Sequence, residues 1–139
     1  MKNLFTLTAV IELGAGLAFV VWPSLPVKLL LGSSLDTSAA LAVGRLAGAA
    51  LLSLGVACWL ARLDRQSRAA TGLVAGMVQY NASAVAILAY AGVGFGFAGI
   101  ALWPAVILHA AMACWCIVCL RNKRASVISE EKSFAAFYR

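Results

Sequence analysis

Residues 8–22 read TAVIELGAGLAFVVW, an apolar run with a carboxylate, Glu12, near its middle. Extended back to Leu4, the run reaches the ~20 residues that a helix needs to cross a hydrocarbon core. Every other residue of the run can lie against lipid, whereas Glu12 facing lipid would cost a few kcal/mol. The stretch therefore implies a membrane helix that turns one polar group inward.

The rest of the chain agrees. Its 139 residues are 63% hydrophobic and 12% charged, with a mean hydropathy of +0.94. Soluble domains sit nearer half apolar and a quarter charged. Four apolar stretches stand out, at about 4–22, 39–61, 69–92 and 100–120. The expected architecture is all-α: a four-transmembrane-helix bundle over residues 1–120, followed by a polar cytoplasmic tail, 121–139. Between the first two spans, Pro23 and Pro26 open VKLLLG and Gly32 closes it. That pattern predicts a one- to two-turn interfacial helix. The first run lacks a small-residue cleavage site, so it reads as a span and not as a secretory signal.

Eleven basic residues stand against five acidic ones, a net charge of +6. They cluster at the ends of apolar runs, which is the signature of membrane orientation and not of a nucleic-acid face. Lys2, the connection with Arg62, Arg65 and Arg68, and the tail with Arg121, Lys123 and Arg124 carry the positive charge. The first connection has only Lys28 against Asp36, and the third has no charge. By the positive-inside rule both termini face the cytoplasm of a bacterial inner membrane. In the tail, Ser129 is a candidate cap for a short helix with Phe134, Phe137 and Tyr138 on one face, and the stretch reads equally well as a frayed tail resting on the headgroups.

Each span carries a residue that is expensive in hydrocarbon: Glu12, Arg45, the run Gln79-Tyr80-Asn81, and His109. At ~1.5 Å of rise per residue, Glu12 lies about 12 Å from the inner end and the others about 16–21 Å. A polar midplane follows. Arginine keeps its proton and needs a counter-charge, and Glu12 is the acid at comparable depth. The expectation is a Glu12–Arg45 ion pair, with Gln79, Tyr80, Asn81 and His109 adding hydrogen bonds. Gly16 on the first helix, Gly44 and Gly48 on the second, and Gly72 and Gly76 on the third are candidate close-packing positions within the chain.

Other motifs carry less. Gly94-x-Gly96-x-x-Gly99 matches a dinucleotide fingerprint as text, but it follows a membrane helix and no βαβ unit holds it. It reads as a flexible hairpin. Cys58, Cys114, Cys116 and Cys119 all fall in the cytoplasmic half, where thiols stay reduced, and are expected to act as small hydrophobes. His109, the one histidine, leaves open a haem ligand, a proton relay or a hydrogen-bonded core residue. Haem would need a second chain or Met77 as the other axial ligand. No metal or cofactor is expected, and no set of side chains suggests catalysis.

The stretches WPSLPVKLLLG, GRLAGAALLSLGVACWLAR and LWPAVILHAAMACWC resemble the small DoxX-like bacterial inner-membrane proteins, over about four fifths of the chain. The resemblance implies a single-chain helical bundle and little about activity. AVIELGAG also resembles the first helix of small multidrug-resistance transporters, whose membrane glutamate takes protons and cationic substrates in turn. An Arg45 partner for Glu12 would rule that mechanism out. The leading expectation is a non-enzymatic accessory or assembly subunit, or a small ligand-binding bundle. Its partners would be the lipid bilayer and either another membrane protein or a second copy. The rivals are a proton-coupled transporter built on Glu12, and a haem- or quinone-associated redox component using His109.

Overall fold

The structure, a computed structural model, describes residues 1–64 and 67–137, with side chains as far as Ser126 and at Ser129. Arg65 and Tyr138, and the side chains of Phe134 and Phe137, lie outside the described residues. Five helices form in chain order: α1 (Lys2–Val21), α2 (Ser24–Leu31), α3 (Ser38–Ala61), α4 (Arg68–Gly94) and α5 (Leu102–Phe137). Among the described residues there is no strand.

Four of these helices are long and apolar enough to cross a membrane. Their outward surface is made of large apolar side chains: Val93 is 78% exposed, Leu46 72%, Leu60 71% and Val21 68%. In water such a surface would aggregate, and in a bilayer it is the ordinary lipid face. The chain is a multi-pass membrane protein.

Helix ends follow local chemistry. Thr37 caps α3 by accepting from Ala40 N at 3.1 Å, and Ser67 caps α4 by accepting from Ala70 N at 3.0 Å. Each satisfies one of the amide donors that a helix start leaves without a partner. The short helix α2 ends at Gly32, whose φ of 71° is the left-handed conformation that favours glycine at a helix terminus.

The spans assemble as two pairs, α1 with α3 and α4 with α5. Glycine makes the first pair close. A Cβ built on Gly48 would lie 2.8 Å from Gly16 O and from Val20 N, and one on Gly16 would lie 2.7 Å from Leu52 N. One turn of α3 away from that crossing, Gly44 packs on Pro23 at the start of α2, and two turns the other way Gly55 packs on Leu13. Gly72 and Gly76 behave differently. A Cβ on either would meet nothing within 4 Å, so the packing expected of them does not occur among the described residues.

The two pairs meet through a core concentrated at one end of the bundle. Leu4, Phe5 and Ala9 of α1 bury there against Cys58 of α3, Val74 and Met77 of α4, and Met112 and Cys116 of α5. Toward the α2 end the pairs separate.

Two segments differ from the sequence expectation. The glycine-rich segment after α4 is not a loose hairpin. Phe97 N donates to Ala91 O at 3.1 Å, and the rings of Tyr90, Phe95 and Phe97 meet edge to face. Ala101 N donates to Leu29 O at 2.9 Å, and Gly99 lies against the backbone of Leu29 and Leu30 with no room for a side chain. The segment thus ties α2 to α5. The tail does not begin a new helix at Ser129 either. Instead α5 runs unbroken to Phe137, about 54 Å against a hydrocarbon core of about 30 Å, so its last turns lie beyond the bilayer core.

Candidate functional site

Four of the polar residues expected at midplane come together. Tyr80 Oη donates to Glu12 Oε2 at 3.3 Å, joining α4 to α1. His109 Nδ1 lies 2.8 Å from Asn81 Oδ1, joining α5 to α4. The Tyr80 and His109 rings stand edge to face with centroids 5.6 Å apart, which links the two bonded pairs. Glu12 is 4% exposed and Asn81 3%.

Hydrogen bonding fixes the histidine. Asn81 Nδ2 donates to Met77 O at 2.8 Å, and a carbonyl can only accept, so the amide orientation is determined. Asn81 Oδ1 then faces His109 and must accept, which places a proton on Nδ1. Nε2 is the ring nitrogen left for another partner.

Arg45 is a correction. It is exposed, and its Nε donates to Val20 O at 3.3 Å, close to the end of α1. The glycine contacts explain why. Gly48 lies level with Gly16 and Val20, while Gly55 lies level with Leu13, the neighbour of Glu12. Arg45 is therefore about 15 Å along α3 from the level of Glu12, beyond the reach of its stem. It runs toward the helix end, as long cationic side chains do in membranes. Glu12 has no basic partner among the described residues.

Gln79 is also outside the cluster. It is exposed and donates to Ser83 Oγ at 3.1 Å along its own helix. Met77 is fully buried, and the Cys58 thiol lies 3.7 Å from its sulfur. Cys58 and Cys116 are buried, Cys119 is half-buried, and Cys114 is exposed. Among the described residues, no three histidine, cysteine or acidic side chains gather where they would hold a metal.

The cluster separates two spaces. On one side is a void of about 10 Å³ bordered by Thr8, Glu12, Asn81, His109 and Met112. Thr8, 2% exposed, has a hydroxyl without a hydrogen-bond partner there. On the other side, where the helix pairs part, is a cleft of about 530 Å³. Its walls are apolar, among them Phe19 of α1, Leu51 of α3 and Ile87 of α4, and Leu30 of α2 closes one end. Its polar groups are Glu12, Tyr80, Ser83 and His109. Ile87 is 66% exposed, so the cleft communicates with the lipid-facing surface.

The sequence did not announce this cleft. Ser83 and Phe19 carry no signal of their own, and the space arises because the core fills one end of the bundle only. A search of family models, of curated proteins and of solved structures finds no match to the chain.

Proposed function

We propose that the protein binds a small amphipathic ligand in the cleft, with the ligand's apolar body between the helix pairs and its polar head at Glu12 and His109. The observation that carries this is the composition of the cleft: about 530 Å³ of apolar wall with its polar groups gathered at the midplane. Ligand sites are commonly of this size and kind.

The polar groups point to the head. Glu12 Oε2 accepts from Tyr80, and its other oxygen receives no hydrogen bond from a described residue. His109 uses Nδ1 as donor, so a neutral ring presents Nε2 as an acceptor. A floor of acceptors suits a ligand that donates, above all a hydrophobic ammonium ion, which also brings the counter-charge that Arg45 does not supply. A quinone, whose carbonyls accept, fits this floor less well. The test is binding of a fluorescent alkylamine to the protein in nanodiscs, against the same molecule acetylated on nitrogen. The amine binds about tenfold tighter or more, and Glu12→Gln removes the difference. Equal binding of both probes would refute the reading.

A second reading is favoured by the position of Arg45. A membrane carboxyl without a fixed basic partner is free to exchange a proton for a cation, as in the small multidrug-resistance transporters that the first helix resembles. Proton-coupled export of the same ligand class is then the activity. Release of protons into weakly buffered medium on adding the amine supports it, and binding without release counts against it.

For orientation we propose that both termini are cytoplasmic. Lys2, Arg62, Arg68, Arg121, Lys123 and Arg124 lie at one end of the bundle, and the α2 end carries Lys28 and Arg45 against Asp36. Membership of the DoxX-like group is likewise proposed on the sequence stretches alone.

A further inference from the structure

A second concavity lies away from the midplane site. Between α4 and α5 runs a groove of about 270 Å³, walled by Ala75, Val78, Ile117 and Leu120 and ending at Arg121 and Arg124. Its level is set by Lys123, whose Nζ donates to Ser67 O at 3.2 Å and to Thr71 Oγ1 at 2.5 Å. Those contacts place Arg121 and Arg124 beside the start of α4, where the chain enters the membrane. Of the apolar walls, Leu120 adjoins Arg121, and Ile117, Ala75 and Val78 lie one to two turns deeper.

The two arginines are uncommitted among the described residues. Both are exposed, and neither makes a hydrogen bond or ion pair with a described residue. Arg62, at the same end of the bundle, is by contrast occupied: it donates to Trp59 O and stacks over the Trp59 ring at 3.7 Å. Three residues apart on one helix, Arg121 and Arg124 present their guanidinium groups on the same face. Gly72, three residues before Ala75, has nothing within 4 Å of where its Cβ would stand, which leaves the α4 surface beside the groove bare.

We propose that this groove binds an anionic phospholipid, with Arg121 and Arg124 holding the headgroup phosphate and an acyl chain lying along Ala75, Val78, Ile117 and Leu120. Charge and depth agree, because paired guanidinium groups sit at headgroup level directly above an apolar channel. The two arginines decide against an apolar partner helix, which would leave their charge unanswered at that level. A single acyl chain is narrow enough to enter.

The test uses the full chain in nanodiscs of phosphatidylcholine alone or mixed with phosphatidylglycerol, read by thermal unfolding and by lipid retained in native mass spectrometry. Phosphatidylglycerol raises the unfolding temperature of the wild type, and an Arg121→Gln/Arg124→Gln variant loses the rise and retains roughly tenfold less of that lipid. A single Ala75→Phe change, which fills the groove and leaves both charges, gives the same loss. Inorganic phosphate added to phosphatidylcholine discs has no effect. The proposal is overturned if phosphatidylglycerol gives no rise, if the arginine variant keeps it, or if free phosphate reproduces it. Because Glu12 and the cleft are untouched, failure here leaves the ligand reading standing.

Discussion

His109 is held by Asn81. Their side chains meet at 2.8 Å across α4 and α5, and Asn81 is itself anchored to Met77 O at 2.8 Å on its own helix. The chain of bonds settles which ring nitrogen carries the proton, and it leaves Nε2 for another partner. Nitrogen-15 NMR of ring-labelled protein is expected to show the Nδ1-protonated tautomer. Asn81→Leu is expected to abolish that preference and to cost about 1–3 kcal/mol, because His109 loses its partner inside the bundle. An Nε2-protonated ring in the wild type would contradict the arrangement.

Glu12 couples to Tyr80 and not to Arg45. In a double-mutant cycle read by thermal unfolding in detergent, Glu12→Gln with Arg45→Gln is expected to show coupling below about 0.5 kcal/mol. Glu12→Gln with Tyr80→Phe is expected to show about 1 kcal/mol, the scale of one hydrogen bond. A large coupling to Arg45 would require a different register of α3 on α1.

The same pair shows what the sequence could and could not disclose. Glu12, Tyr80, Asn81 and His109 were legible because each is a polar residue inside an apolar run and had to face inward. The four spans and α2 were legible for a related reason: hydropathy, proline and glycine mark them directly. Arg45 was misplaced because its depth was counted from the end of a span. Depth is set instead by where α3 can touch α1, and that is decided by the contact between Gly16 and Gly48. Counting residues does not see a contact. The cleft was invisible on the same grounds, since it depends on how far apart two helix pairs stand. The run of α5 past Ser129 was hidden by a polar sequence that reads equally well as a frayed tail.

The glycines divide into two classes with opposite outcomes. At Gly48 a methyl group would strike Gly16 O and Val20 N at 2.8 Å, both backbone atoms that cannot move aside. Gly48→Ala is expected to cost about 2–3 kcal/mol. At Gly72 and Gly76 a methyl group meets nothing, and alanine restricts the unfolded chain more than glycine does. Each of those substitutions is expected to stabilise by about 0.5–1 kcal/mol. Thermal unfolding of the three variants separates packing glycines from bare ones, and a loss at Gly72 or Gly76 would point to a partner on that face of α4.

Thr8 makes the sharpest prediction about the midplane. Its hydroxyl is buried without a hydrogen-bond partner, beside a void of about 10 Å³ that Glu12, Asn81 and His109 also border. Leaving a buried hydroxyl unpaired costs about 1–3 kcal/mol, and a methyl group of the same shape carries no such cost. Thr8→Val is therefore expected to raise the stability of the bundle by about 1 kcal/mol, measured by thermal unfolding in detergent. Thr8→Ala serves as the control, because it removes the hydroxyl and also opens a cavity, and it is expected to stabilise less than valine or to destabilise. A void of this size accepts about one water molecule. If Thr8→Val destabilises while Thr8→Ser does not, the hydroxyl is bonded after all, through a water that joins Glu12 to His109. The two hydrogen-bonded pairs would then form one connected path across the bundle.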